Sequence, residues 1–411
     1  MKHFGTKFVL YINYFVFAVL LNTMGAVILQ VQGTFGVSKD IAALLEGFKD
    51  IPIALASLLL ASFLPKLGYK RAMQIALAMV TVVCIIMPYA SAFWYFKLLF
   101  FVVGVSFAMI KVSVFSTIGL VTDSQQEHSS LMSTIEGVFM VGILFGNVLF
   151  SLFINDADTQ SREWLNVYWV LGGLTFMAFI VLLFVKIDQS RIQHEVESSS
   201  IADNLFTMLK LCIKPVVLIF IGAVAFYVLI EQSFQTWMPT FYKDVLKLPA
   251  SMSIQAGAVL AGAFAIGRFT AGVVLRRIHW LKVVLGSLVL SAVCVTLVIS
   301  LSKGVVAAEG TTWMNAPLAA WLFPVMGIFL ATIYPAINSL ILSALPKHQH
   351  AAMSGLIVVF SALGGTTGSI ITGNIFHYLD GATAFSLSVI PMGILALLLV
   401  LFNSQIKSTH G

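Results

Sequence analysis

An all-α membrane protein of about twelve transmembrane helices, arranged as two six-helix halves, is the fold class this sequence predicts. Three observations lead there. Of 411 residues, 59% are hydrophobic and only 10% charged, with a mean hydropathy of +0.99. A soluble domain carries roughly a quarter charged residues, and no core in water could absorb so much apolar surface. Apolar stretches recur from residue 8 to residue 403 with short polar breaks, which leaves no room for a sizeable extramembrane domain. The longest polar stretch, Asp188 to Asn204, falls near the middle of the chain.

A span needs roughly 20 apolar residues at 1.5 Å per residue. On that rule the first six helices lie near 8–30, 41–64, 72–90, 95–118, 130–153 and 165–186. The next six lie near 214–238, 253–275, 283–301, 318–343, 352–376 and 384–403. The opening run from Phe8 to about Leu29 is too long for a cleaved signal peptide and lacks a small-x-small cleavage site, so it reads as a retained first helix. With the N-terminus inside, one set of loops holds Lys66, Lys70, Arg71, Lys186, Arg191, Lys210, Lys214, Arg276, Arg277, Lys282, Lys347 and Lys407. The opposite side holds a thinner set such as Lys39, Arg162, Lys243 and Lys303. The excess of basic residues on the first side predicts that both termini are cytoplasmic and that the chain is a multi-pass protein of the cytoplasmic (inner) membrane.

The polar stretch then reads as a linker, giving an N-terminal six-helix bundle at 1–187, a cytoplasmic linker at 188–212 and a C-terminal six-helix bundle at 213–411. Internal repetition supports the division: Gly142 and Gly146 in the fifth helix recur as Gly364 and Gly368 in the eleventh, and the basic loop Lys66–Arg71 recurs as Arg276–Lys282. With Gly365, these glycines have the small-xxx-small spacing that lets helices approach closely. Duplicated halves are a common transporter plan, with the solute site between them.

The loop Pro65-Lys66-Leu67-Gly68-Tyr69-Lys70-Arg71 resembles the basic signature loop of the major facilitator superfamily, and Gly267-Arg268 with Gly272 to Arg277 resembles its counterpart in the second half. The acidic residue that precedes the family's basic run is Pro65 here, and its leading glycine is Ala61, so the gating role of that acid does not transfer. The resemblance implies the major facilitator fold over the whole chain, with gating roles for Lys70 and Arg71 and, for Arg268, a gate-forming or loop-packing role in preference to substrate contact. Within the superfamily, Ile28–Phe35 and Leu64–Arg71 are most similar to the fucose–proton symporter branch, which implies sugar transport by symport with protons. Those symporters use an aspartate in helix one for proton coupling, and Gly25 stands at that position here.

Ionisable side chains near the bilayer centre cost ~2.5 kcal/mol or more, so they face a cavity or a partner. Lys111 and Glu136 both sit roughly 9–12 Å above the cytoplasmic ends of helices four and five, which predicts an ion pair. The pair could staple the two helices or serve substrate binding or proton coupling. Glu46, Lys49 and Asp50 share one face of helix two. They read as cavity-mouth groups, with Glu46 a proton-coupling candidate, or as a solvated cluster that compensates its own charge. Glu231 in helix seven has no basic residue within one turn and has Gln232, Gln235 and Trp237 as neighbours. An unpaired carboxyl group in a low-dielectric site is well suited to load and release a proton, which makes Glu231 the first candidate for proton coupling; the alternative is a carboxyl that only bonds these polar neighbours.

Polar residues inside apolar helices mark the wet faces. The candidate substrate-binding set is Asn22 and Gln30 in helix one, Gln232, Gln235 and Trp237 in helix seven, and Tyr334 with Asn338 in helix ten. Amides offer both donors and acceptors and an aromatic ring offers a platform for a sugar face, so the set suits a small hydrophilic solute, although such amides also bond neighbouring helices. Tyr334-Pro335 is expected to interrupt helix ten, and Trp237-Met238-Pro239 to end helix seven.

Other classes fit less well. All eight histidines (His3, His128, His194, His279, His348, His350, His377 and His410) fall in expected loops, termini or helix ends, so no metal or acid–base catalytic site assembles in the bilayer. No G-x-x-x-x-G-K-[ST] phosphate loop is present. The reading is therefore no enzyme, no cofactor and no metal. The net charge of +6 comes from basic clusters at helix ends and not from an aromatic-interleaved face, so nucleic acid is not an expected partner. Cys84 and Cys294 lie in spans and Cys212 beside one, which makes a disulfide framework improbable. The expected partners are a small-molecule substrate, a proton and membrane lipid, and the expected state is a monomer. Two other functions share the pattern: a drug or metabolite/proton antiporter working as an exporter, and a non-transporting membrane sensor or scaffold on the same fold.

Overall fold

A computed structural model of the chain describes residues 4–122, 125–187, 208–275, 277–304, 311–345 and 349–410. The described residues are overwhelmingly α-helical and contain no strand. The first span is α1 (Phe4–Leu21) followed by α2 (Met24–Phe35). Spans two to six are α3 (Lys39–Leu67), α4 (Tyr69–Ile86), α5 (Trp94–Leu120), α6 (Gln125–Ser151) and α7 (Val167–Phe184). Spans seven to nine are α8 (Pro215–Asp244), α9 (Ala250–Val274) and α10 (Trp280–Ser302). The tenth is α11 (Leu318–Leu330) with α12 (Ile333–Ala344), the eleventh α13 (His350–Tyr378), and the last α14 (Gly381–Leu387) with α15 (Val389–His410).

Eleven of these spans are long and apolar enough to cross a bilayer among the described residues. The twelfth is α3, whose 29 residues give ample length but whose first half carries Lys39, Asp40, Glu46, Lys49 and Asp50. It packs along α5 on one side and α13 on the other. Most of the expected linker, residues 188–207, lies outside the described residues.

Breaks in the helices have local causes. Between α1 and α2, the Asn22 amide donates to Ala18 O at 3.0 Å and the Thr23 hydroxyl to Leu20 O at 3.2 Å, so side chains compete with the helical ladder. The tenth span parts at Ala331 and Thr332, one turn before Pro335, whose ring cannot accommodate the carbonyl four residues back. The expectation for the seventh span was wrong: α8 runs through Pro239 and on to Asp244. Proline is tolerated inside a membrane helix when the carbonyl it releases faces a polar partner or cavity, and here that carbonyl belongs to Gln235, which lies on a cleft.

The repeated glycines have the same packing role in both places. A methyl group added at Gly142 would come within 2.8 Å of Phe15 O, and one at Gly146 within 3.1 Å of Val19 O, so α6 lies directly on α1. Gly364 and Gly368 press in the same way on Ala225 O and Leu229 O, laying α13 on α8. Large apolar side chains point outward toward hydrocarbon, with Phe184 82% and Phe269 78% exposed. Buried aromatics fill the interior; in the last six spans Phe234, Phe241, Phe323 and Phe385 form one cluster with centroid separations of 4.9–5.4 Å.

The first six spans meet the last six along three seams: α3 on α13, α6 on α9, and α2 on α8. At the end of the bundle opposite the chain termini, polar bonds tie the two sets together. Lys39 pairs with Asp244 at 2.5 Å, and the Asp156 carboxylate accepts from Ser251 N at 2.9 Å and from the Ser251 hydroxyl. Gln255 donates to the Ser151 hydroxyl at 3.3 Å, and His377 lies 3.7 Å from Asp40.

Candidate functional site

Two polar constellations sit inside this apolar bundle. The first is centred on Glu46. Its side chain is fully buried, Lys49 one turn on donates to it, and Lys49 also lies 3.5 Å from Asp50. Across the seam, Gln232 Nε2 donates to Glu46 Oε1 at 2.6 Å and Thr236 Oγ1 to Oε2 at 2.9 Å. One carboxylate therefore binds α3 to α8. The reading of a solvated cluster on helix two is corrected: the three residues do share one face, but that face is turned into the seam, with Asp50 directed toward Gly365 of α13.

The second constellation is a narrow cleft between α2, α6, α8 and α9, with about 50 Å³ open to a water-sized sphere and about 500 Å³ in all when its open mouth is counted. Asn22, Met140, Asn147, Gln235, Phe264 and Arg268 are among its lining residues, so both sets of six spans contribute. The Asn22 and Asn147 amides each donate to a carbonyl of their own helix, Ala18 O and Ile143 O, both at 3.0 Å. Their Oδ1 atoms are thereby left as acceptors. Arg268 stays exposed, with its Nη1 3.5 Å from Met140 Sδ.

Of the seven residues expected to bind substrate, Asn22 and Gln235 line this cleft. The others are placed elsewhere. Gln30 is buried in α2, and Gln232 is engaged by Glu46. Trp237 is fully buried, its indole N–H donating to Ser369 O at 3.0 Å and its ring stacked on Phe376 at 5.2 Å, so it holds α8 to α13 and offers no platform. Tyr334 packs on Tyr227 at 5.6 Å with its hydroxyl 3.4 Å from Ser361, while Asn338 Oδ1 is buried without a hydrogen-bond partner.

The expected Lys111–Glu136 ion pair does not form. The two residues are near enough to act on each other's charge, but Glu136 accepts from the Tyr14 hydroxyl at 3.4 Å and Lys111 lies 6.0 Å from the centroids of both Phe107 and Phe115. Equal depth was legible, but the rotation of each helix about its axis was not. Glu231 is likewise not isolated: Tyr227, one turn back on α8, and Arg268 on the neighbouring helix α9 are both close enough to act on its carboxyl. Lys70 donates to Leu183 O at 3.0 Å, which satisfies a carbonyl in the last turn of α7, and Arg71 is exposed beside it.

Sequence reasoning missed Asn147. The signal was present, since it is an amide next to Gly146 in the apolar stretch that follows Glu136, and it stands against Gly257 of α9, where any added side chain would collide with it. Gly25 also gains a reason. A methyl group there would lie 2.8 Å from Thr236 O and 3.1 Å from Gln235 O, so an aspartate at this position would break the seam between α2 and α8.

A bundle of this kind, apolar outside and with a cleft walled by both sets of six spans into which four polar side chains project, defines a multi-pass integral membrane protein of the transporter class. The chain belongs to the Major Facilitator Superfamily, whose family model matches residues 7–369. It is 21% identical over 360 residues to the Protein TsgA homolog of Buchnera aphidicola subsp. Baizongia pistaciae (strain Bp), covering 86% of this chain and 84% of that one. Among solved structures it is similar to the nucleoside transporter NupG, with a TM-score of 0.74 at 14% identity over 96% of this chain and 99% of that one. It is also similar to the D-xylose-proton symporter, with a TM-score of 0.70 at 14% identity over 98% and 97% of the two chains. A bacterial homolog of the human lysosomal transporter Spinster, inward-facing and occupied, gives 0.71 at 13% identity over 100% and 97%. At these identities the structural likenesses establish the shared fold, and the family points to a transporter and not to an enzyme.

Proposed function

We propose that this protein is a secondary transporter that imports a small hydrophilic solute across the cytoplasmic membrane by alternating access, coupled to protons, with both termini in the cytoplasm. The observation that carries the reading is the cleft, where Asn22 and Asn147 from the first six spans and Gln235 and Arg268 from the last six converge on one polar space. Relative rocking of two six-helix halves, 1–187 and 213–411, would expose that space to each side in turn. The bonds Lys39–Asp244 and Asp156–Ser251 close the end opposite the termini, which, with the termini in the cytoplasm, supports an inward-facing reading of this state. The bacterial Spinster homolog named above is inward-facing as well, and the D-xylose-proton symporter is named for proton coupling.

Glu231 is the proposed proton carrier. It lies one turn from Gln235 on the cleft-lining helix, and its carboxyl is supported by Tyr227 and Arg268. Purified protein is first screened by thermal shift against sugars, nucleosides, amino acids and organic acids, because a ligand that binds the folded state stabilises it. The hit is then followed into proteoliposomes with and without an imposed pH gradient. Wild-type protein is expected to accumulate it uphill on the gradient, whereas Glu231→Gln abolishes accumulation and spares exchange. Unchanged uphill uptake in Glu231→Gln would refute the proton-carrier role, and a protein that takes up nothing would support a sensor or scaffold.

A further inference from the structure

Arg268 is placed where a structural arginine would not be. It lies about seven residues, roughly 10 Å, above the end of α9 and faces the cleft, exposed. A guanidinium carries five donors in a rigid planar fork. Among the described residues its one hydrogen-bond contact is with a thioether, Met140 Sδ at 3.5 Å, and no carboxylate pairs with it directly. Glu231 offsets its charge from the side without occupying the fork. A cation at this depth that keeps its donors open is poised for an anion, and the planar fork matches a carboxylate in two parallel hydrogen bonds.

The rest of the cleft is uncharged. The Nδ2 groups of Asn22 and Asn147 each give one hydrogen to their own helices, which leaves on each amide the Oδ1 acceptor and one further N–H. Such a pair bonds hydroxyls, which both donate and accept. Phe264 and Leu260 supply the apolar wall between the two polar regions. We infer that the cleft binds a small hydroxylated carboxylate, a sugar acid, with its carboxylate on Arg268 and its hydroxyls on Asn22 and Asn147. This inference rests on the transporter reading and narrows the class of solute from small hydrophilic compounds to sugar acids.

Matched pairs of probes test it on the full-length protein in detergent and in proteoliposomes. Gluconate and glucitol share a carbon chain and its hydroxyls and differ in the carboxylate; glucuronate and glucose form a second pair. The acids are expected to raise the unfolding midpoint in a concentration-dependent way and to be taken up, while glucitol and glucose do neither. Arg268→Gln is expected to weaken acid binding roughly tenfold or more, the effect of losing charge-assisted hydrogen bonds, and Arg268→Lys to weaken it less. If Arg268→Gln does not fold, the pairs measured on wild-type protein decide the question alone. Neutral sugars that stabilise as well as the acids, an acid shift that survives Arg268→Gln, or stabilisation by glucose 6-phosphate with gluconate silent would each overturn the carboxylate assignment and leave solute transport standing. No stabilisation and no uptake with any of the five probes would overturn the sugar-acid class, and the transport reading would then stand or fall on the broader solute screen.

Discussion

Glu46→Ala is expected to destabilise the protein by ~3–5 kcal/mol, the cost of leaving one member of a buried ion pair uncompensated. The residue is completely shielded, and three donors converge on it: the Lys49 ammonium from its own helix, and Gln232 and Thr236 from α8. Removing the carboxylate leaves the ammonium with Asp50 alone, at 3.5 Å, and strips the Gln232 amide of its 2.6 Å acceptor. Glu46→Gln keeps an acceptor oxygen and loses the charge, so its effect should be smaller. Because two of the three donors belong to the other set of six spans, the damage should fall on the seam. Transport should be lost in the alanine variant even at temperatures where the protein remains folded. Thermal unfolding of the purified variants measures the first effect and uptake the second; a Glu46→Ala protein within ~0.5 kcal/mol of wild type, the range of ordinary surface substitutions, would remove Glu46 from its place as the link between α3 and α8.

The second large effect is steric. Gly364→Val should yield almost no folded protein, because its side chain must enter space held by the Ala225 carbonyl, and backbone cannot step aside as a flexible side chain can. Gly142→Val should behave alike on α1, where Phe15 O and Ala18 Cβ stand 2.8 and 2.6 Å from the first added carbon. Overpacking costs ~1–3 kcal/mol in soluble cores and occasionally more, and a seam of two backbones in contact belongs at the upper end. Gly262→Val is the control, since an added methyl group there meets nothing within 4 Å. The monodisperse fraction in detergent should fall for the first two and hold for the third; equal yields from all three would show that the glycine seams are looser than described.

These two cases also show what the sequence could tell. The spans were legible because hydrocarbon imposes one composition on every lipid-facing helix, and the glycine repeats were legible because close approach demands small residues at fixed spacing. Pairing between helices was not. Spacing placed Glu46, Lys49 and Asp50 on one face of α3, but nothing in one chain says that this face meets Gln232 and Thr236, some 190 residues away. Glu231 looked isolated because its cationic neighbour, Arg268, is brought to it by the packing of α9 on α8 and not by sequence proximity. Depth alone paired Lys111 with Glu136, and helix rotation separated them. Pro239 was read as an end because proline ends helices in water; inside the bundle it releases the Gln235 carbonyl beside the cleft, and the helix continues.

In the proposed transport cycle two sets of six spans move against each other around the cleft, and a reversible lock at the closed end reports whether that motion is needed. The Asp156 carboxylate accepts from both the backbone N and the hydroxyl of Ser251, so the two residues adjoin across the closed end and are the pair chosen for a cysteine lock. Asp156→Cys and Ser251→Cys would be introduced together after replacing Cys84, Cys212 and Cys294 by serine. Oxidation is expected to stop uptake while leaving solute binding from the open side intact, and reduction to restore uptake. Uptake at the same rate in the oxidised and reduced protein would show that the two sets of spans need not part there.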